Sequence, residues 1–193
     1  MRVILIAAVT EDGFIARAAS ENSFDWTSRE DHAFFVSKTK EIGTMIMGRR
    51  TFETIGKPLP GRRLIVLTHR PHPDPLHCME RGGAVRAEVT PPRSGGVGGG
   101  NDGTVEFTSE ETRALLARLE KEGVASVAVC GGAEVYARFL NDGLVDEAFL
   151  TVEPVHFGAG VPLAPGFDLG RLALVSQEPL GPATLKHYKV VSS

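Results

Sequence analysis

The sequence predicts a three-layer α/β/α fold around a mostly parallel central sheet, closed by a C-terminal antiparallel hairpin. Three observations carry this. Apolar, β-rich runs without polar alternation stand at 2–9, 44–47, 63–68 and 124–130, the pattern of strands buried on both faces. Helical patterns lie between them, giving strand-helix-strand windings of crossover length. Near the end, the runs 172–178 and 184–191 flank a Gly181-Pro182 corner, as in a hairpin.

Taken in order, the first strand stops at Thr10-Glu11-Asp12-Gly13, and a polar loop follows over 16–25. A helix then starts, because Thr27 with Glu30 and Ser28 with Asp31 both fit the capping-box spacing. That helix stops near Gly43. The strand 44–47 ends at Gly48 and opens into a short helix, Arg49 to Ile55. A turn, Gly56-Lys57-Pro58-Leu59-Pro60-Gly61, leads to the strand 63–68.

The rhythm breaks after residue 70. Five prolines and the glycine-rich run 94–100 mark an insertion expected at about 71–107 within one domain spanning 1–193, with a short strand near 84–89. The glycine run lacks the lysine of a P-loop and reads as a linker. Ser109-Glu110-Glu111 caps the next helix, which ends at Gly123. A strand at 124–130, a helix from Ala133 through Leu140 and a strand at 146–155 complete the pattern.

At 193 residues the chain buries enough surface to need no metal or disulfide for its core. A net charge of −3 provides no footprint for nucleic acid or an anionic membrane. Any bound anion must be held by a few placed cations. Cys78 and Cys130 lack metal-ligand spacing and read as free thiols. The apolar start is too short to span a bilayer and makes a poor signal peptide, so a cytoplasmic protein is expected. His69, His72 and His77 show no ordered spacing, and no metal is expected.

Three places can carry chemistry. The stretch Val127 to Tyr136 runs a buried strand through Gly131-Gly132 directly into a helix. Backbone N–H groups and a helix N-terminus there suit a dinucleotide pyrophosphate. Tight strand-to-helix packing explains the glycines equally well on spacing alone. Arg49 and Arg50 end one strand, His69 and Arg70 the next; adjacent parallel strand ends line the crevice of an open α/β sheet. Together they could hold a 2′-phosphate, although a solvated basic rim is the plainer reading of the cations alone. Asp31 stands in the first turn of its helix, where an acid is favoured by the dipole alone. Trp26, Phe34 and Phe35 flank it with apolar surface, which favours the protonated carboxyl. The sequence places no second acid or Ser/His pair beside it, and hydride transfer needs neither.

Together these regions resemble dihydrofolate reductase. TMIMGRRTFETIGKPLPGRRLIVLT at 44–68 looks like that family's strand-helix-turn-strand segment, and VAVCGGAEVYARFL followed by DEAFLTVEP like its cofactor strand, Gly-Gly helix and next strand. ILIAAVTEDGFIA and DWTSREDHAFF match more loosely. The resemblance implies a dihydrofolate-reductase-like fold, NADPH as cofactor and dihydrofolate as substrate, in tetrahydrofolate and one-carbon metabolism, as a monomer or homodimer. It implies that Asp31 is the catalytic carboxylate, with Trp26 before it, Thr151 supporting it and Tyr136 near the nicotinamide. Ile6, Ala8, His32, Phe35 and Ile55 fall at substrate-pocket positions, and Arg62 where an arginine clamps the folate carboxylate. Ile15, Gly48, Arg49, Arg50, Thr51, Leu67, Thr68 and His69, with Cys130, Gly131, Gly132, Ala133, Glu134 and Val135, fall at cofactor positions. Gly131 and Gly132 match a pair joined by a cis peptide.

The chain departs from the family at several points. Asp25 replaces a proline, the loop from Ile15 to Trp26 is longer, Glu134 stands where a basic residue is common, and 158–162 lacks the usual acidic loop. TEDGFIA and DWTS look more like the reductase domain of riboflavin biosynthesis. That makes a reductase of a (ribosylamino)uracil, or of another pterin or pyrimidine, the second reading. A non-catalytic nucleotide-binding protein on the same fold is the third.

Overall fold

The structure is a computed structural model that describes residues 1–18, 21, 23–68 and 103–191. Strand β1 (Arg2–Thr10) is followed by the short β2 (Phe14–Ala16), then helix α1 (Arg29–Ile42). Strand β3 (Thr44–Gly48), helix α2 (Arg49–Ile55) and strand β4 (Arg63–Leu67) form the first crossover unit. Strand β5 (Thr104–Thr108), helix α3 (Thr112–Lys121), strand β6 (Ser126–Val129) and helix α4 (Ala133–Asn141) come next. Strands β7 (Glu147–Glu153), β8 (Val161–Pro162), β9 (Leu172–Leu180) and β10 (Ala183–Val190) complete the chain.

Eight strands form one sheet in the order β5-β4-β3-β6-β1-β7-β10-β9. The six from β5 to β7 run parallel, and β10 and β9 add antiparallel to that edge. β1 shows why its apolar run has no polar alternation. Val3, Leu5, Ala7 and Val9 enter one core cluster, while Ile4 and Ile6 enter the other. Both faces of the strand are buried, as the parallel reading requires. β2 and β8 form a separate two-stranded sheet.

The caps follow from local chemistry. Ser28 is the N-cap of α1; its Oγ accepts from the Asp31 N–H at 3.2 Å, a contribution of about 1 kcal/mol. Thr27, the other candidate, points its hydroxyl at His32 Nε2 instead, at 2.8 Å. Gly43, at φ 81°, donates to Thr39 and ends the helix, a conformation glycine adopts freely.

One boundary differs from the sequence expectation. The insertion does not extend to 107, since 104–108 pair in parallel with β4, Ile65 lying beside Glu106. This strand alternates Thr, Glu and Thr with Val and Phe directly after the glycine-rich run, so composition alone reads it as loop. An ion-pair network fixes it: Arg118 reaches Glu110 and Glu122, each at 2.8 Å, and also Glu106, which Arg63 meets at 2.7 Å. The short strand expected near 84–89 lies outside the described residues.

Candidate functional site

A cleft of about 1200 Å³ opens where β1, β3 and β6 end and α2 and α4 begin. This is where the strand order reverses, the usual place for a ligand in an open α/β sheet. Its two halves are built differently.

The half beside the glycine turn is shaped by backbone. β6 passes through Cys130 into Gly131 and Gly132, which are joined by a cis peptide, and Gly132 caps α4 with no side-chain capping bond. Gly131 sits at φ 112°, a region L side chains rarely adopt. A Cβ on Gly132 would lie 3.3 Å from Thr51 Oγ1, and one on Gly48 would lie 3.2 Å from Val135. The Gly48 N–H donates to the Gly131 carbonyl at 2.7 Å, tying β3 to the turn. Arg49 and Arg50 stand at the start of α2 on the same wall, Arg49 paired with Glu53 at 3.0 Å. Ile15, Thr51, Leu67, Thr68, Ala133, Glu134 and Val135 also line this half. His69 lies outside the described residues.

The half around Asp31 is shaped by side chains. Ile6, Ala8, Phe35 and Ile55 line it, with Asp31 on its wall. Asp31 is buried and takes a hydrogen bond from Thr151 of β7. Burial pushes its carboxyl above the usual range, and repulsion from Glu153 adds to this. Hydrogen bonds from Thr151 and Thr27 and the neighbouring His32 act the other way. Tyr136 donates to the Ile6 carbonyl at 2.8 Å, linking α4 to β1 across the floor. Cys130 and Tyr136 are buried, and burial pushes both above their ordinary values.

Several residues of the sequence reading stand back from the cleft. His32 follows Asp31 on α1, about 100° further around the helix, so it turns toward Thr27 and packs edge-on to Phe24 at 4.7 Å. Trp26 packs edge-on against Phe157 at 5.1 Å, with its Nε1 buried and without a hydrogen-bond partner among the described residues. Phe34 belongs to a cluster with Phe149, 6.0 Å away. Thr151 meets the cleft only through its hydrogen bond to Asp31. Arg62 is buried behind the wall, its guanidinium donating to Thr39 Oγ1 at 2.9 Å and to the Pro60 carbonyl at 3.3 Å.

A second acid does stand near Asp31, contrary to the sequence reading. Glu153 is 2% exposed and accepts two hydrogen bonds from Ser28, each 2.7 Å. Strand alternation held the signal: Glu153 is two residues beyond Thr151, on the same face of β7.

The comparisons with known proteins fit this arrangement. The dihydrofolate reductase family model matches residues 2–91. The putative riboflavin biosynthesis protein from Shewanella sp. PV-4 superposes with a TM-score of 0.73 at 19% identity, covering 100% of both chains. The dihydrofolate reductase of Enterococcus faecalis, complexed with NADP(H) and RAB-propyl, superposes with a TM-score of 0.66 at 22% identity over 99% of this chain and 97% of that one. The chain has the dihydrofolate-reductase-like fold, and just under half of its length matches that family's model. It is also similar to the uncharacterized protein YwjB of Bacillus subtilis, 27% identical over 97% of both chains.

Proposed function

We propose that this protein is an NADPH-dependent oxidoreductase that reduces 7,8-dihydrofolate to tetrahydrofolate. The observation that carries the reading is Asp31, a buried carboxyl raised above its usual range on the wall of a cleft whose other half is a glycine turn at a helix start. The glycine turn suits a pyrophosphate, because its N–H groups are open to close approach. Arg49 and Arg50 supply positive charge beside it. Bound there, NADPH would supply the hydride that C6 of the pterin takes up as the electron pair of the C6–N5 double bond goes to N5. Asp31 delivers the proton that N5 takes up. Ile6, Ala8, Phe35 and Ile55 exclude water around the ring and hold it against Asp31. Thr151 supports that carboxylate from behind.

Arg62, where the resemblance to dihydrofolate reductase puts the clamp for a folate tail, is turned inward to Thr39 and the Pro60 carbonyl, so the folate reading rests on Asp31 and requires Arg62 to swing toward the cleft. The likeness to the Shewanella protein favours a second reading, reduction of a (ribosylamino)uracil in riboflavin biosynthesis. Following NADPH absorbance with dihydrofolate and with the aminopyrimidine separates the two. Turnover of the aminopyrimidine alone would overturn the first. Asp31→Asn should keep NADPH binding and lose about 10²–10⁴ in rate; an unchanged rate would leave Asp31 a helix-start acid only.

A further inference from the structure

The reaction as written leaves one buried acid unused. Glu153 closes β7 with its carboxylate directed at the start of α1. Its Oε1 accepts from both the N–H and the Oγ–H of Ser28. The same Ser28 Oγ accepts the N–H of Asp31. One side chain therefore connects Glu153 to the backbone of the proposed acid.

We propose that Glu153 is a positioning residue for Asp31: it fixes the cap from which the first turn of α1 hangs and sets a second carboxylate behind the one at the cleft. Its consequence for rate rests on the reductase reading above. A simple brace between strand and helix needs only a neutral acceptor. Burying a carboxylate costs solvation, and among the described residues no Lys, Arg or His forms a salt bridge with Glu153. The charge has its effect on Asp31. Thr151 faces Asp31 from β7, Thr27 from the preceding loop, His32 from α1 and Tyr136 from α4. The hydroxyls carry no charge in the working range, and His32 acts in the opposite sense to an acid. Among these groups, Glu153 alone repels a second negative charge, and so it keeps a proton on Asp31 to higher pH.

Glu153→Gln tests this, since the amide oxygen keeps both bonds from Ser28 while the charge is lost. The Asp31 carboxyl is followed by ¹³C NMR in protein labelled at the Asp carboxyl carbons, with Asp31→Asn assigning the resonance. This readout needs no substrate. Its titration should move to lower pH in Glu153→Gln by about one unit, and the basic limb of the pH–rate profile should follow, a tenfold loss of rate above it. Ser28→Ala keeps the Glu153 charge, so it should loosen the helix start and leave the limb in place. An Asp31 titration that does not move overturns the proposal. So does a limb that stays while the titration moves, or failure of both variants to fold, which would make Glu153 a structural brace alone. A moved titration in a protein that reduces neither substrate supports the proposal and counts against the reductase reading instead.

Discussion

The two halves of the cleft are made of different material. Beside the glycine turn the shape comes from main chain: Gly48, Gly131 and Gly132 bring β3, β6 and α4 to contact distances that a Cβ would crowd. Around Asp31 it comes from side chains held by one another, Asp31 by Thr151 and the Ser28 cap by Glu153. The backbone-built half has little latitude in residue type and much in ligand chemistry, because N–H groups bind any phosphate. The side-chain half is the reverse: its framework tolerates change, and its chemistry depends on single groups.

Substitutions on each side should therefore fail differently. The largest effect is that of Asp31→Asn, where turnover drops by the factor given above while the melting temperature and NADPH binding hold. Gly131→Ala should do the opposite. It forces a side chain into φ 112°, costing about 1–3 kcal/mol of stability and weakening NADPH binding, read by thermal melting and fluorescence titration. A Gly131→Ala protein that melts like the wild type and binds NADPH normally would erase the distinction between the halves.

Smaller effects belong to regions outside the cleft. Arg118→Ala should cost about 1 kcal/mol, seen as a shifted urea midpoint with kcat unchanged, because its ion pairs are half-buried and Arg118 does not itself line the cleft. The smallest is a pH effect at Asp12. Its carboxylate takes a hydrogen bond from Thr10 and others from the Gly158 and Phe157 N–H groups, which lower its pKa to about 2. A depressed carboxyl stabilises the fold above its ordinary value of 3.8 and loses that contribution as pH falls through the lowered one. Asp12→Asn should thus melt earlier than the parent at neutral pH, with the difference shrinking as the pH approaches 2.

What the sequence made legible follows the same division. The β3-α2-β4 unit and the glycine turn are local: their glycines, arginines and apolar runs stand within a few residues of each other and carry their own spacing. Asp31 was legible through its helix start. The Ser28–Glu153 bond joins residues 125 apart, and no local pattern relates them until β1 brings β7 beside it. His32 occupied a pocket position by alignment with the family, yet helix geometry turned it away once Asp31 faced the cleft. β5 escaped notice because an edge strand can be polar on alternate positions and needs only one neighbour.

The place of β1 in the sheet also bears on how the chain reaches this state. Its two neighbours are β6 and β7, with Val3 beside Val127 and Ile4 beside Glu147. Strand β1 is thus a central one whose partners, β6 and β7, lie more than 110 residues further along the chain. Pairing at such separation closes long loops before any contact offsets their entropy, so folding should be slow for the chain's size. The apolar face of β1 is exposed to other chains throughout that interval.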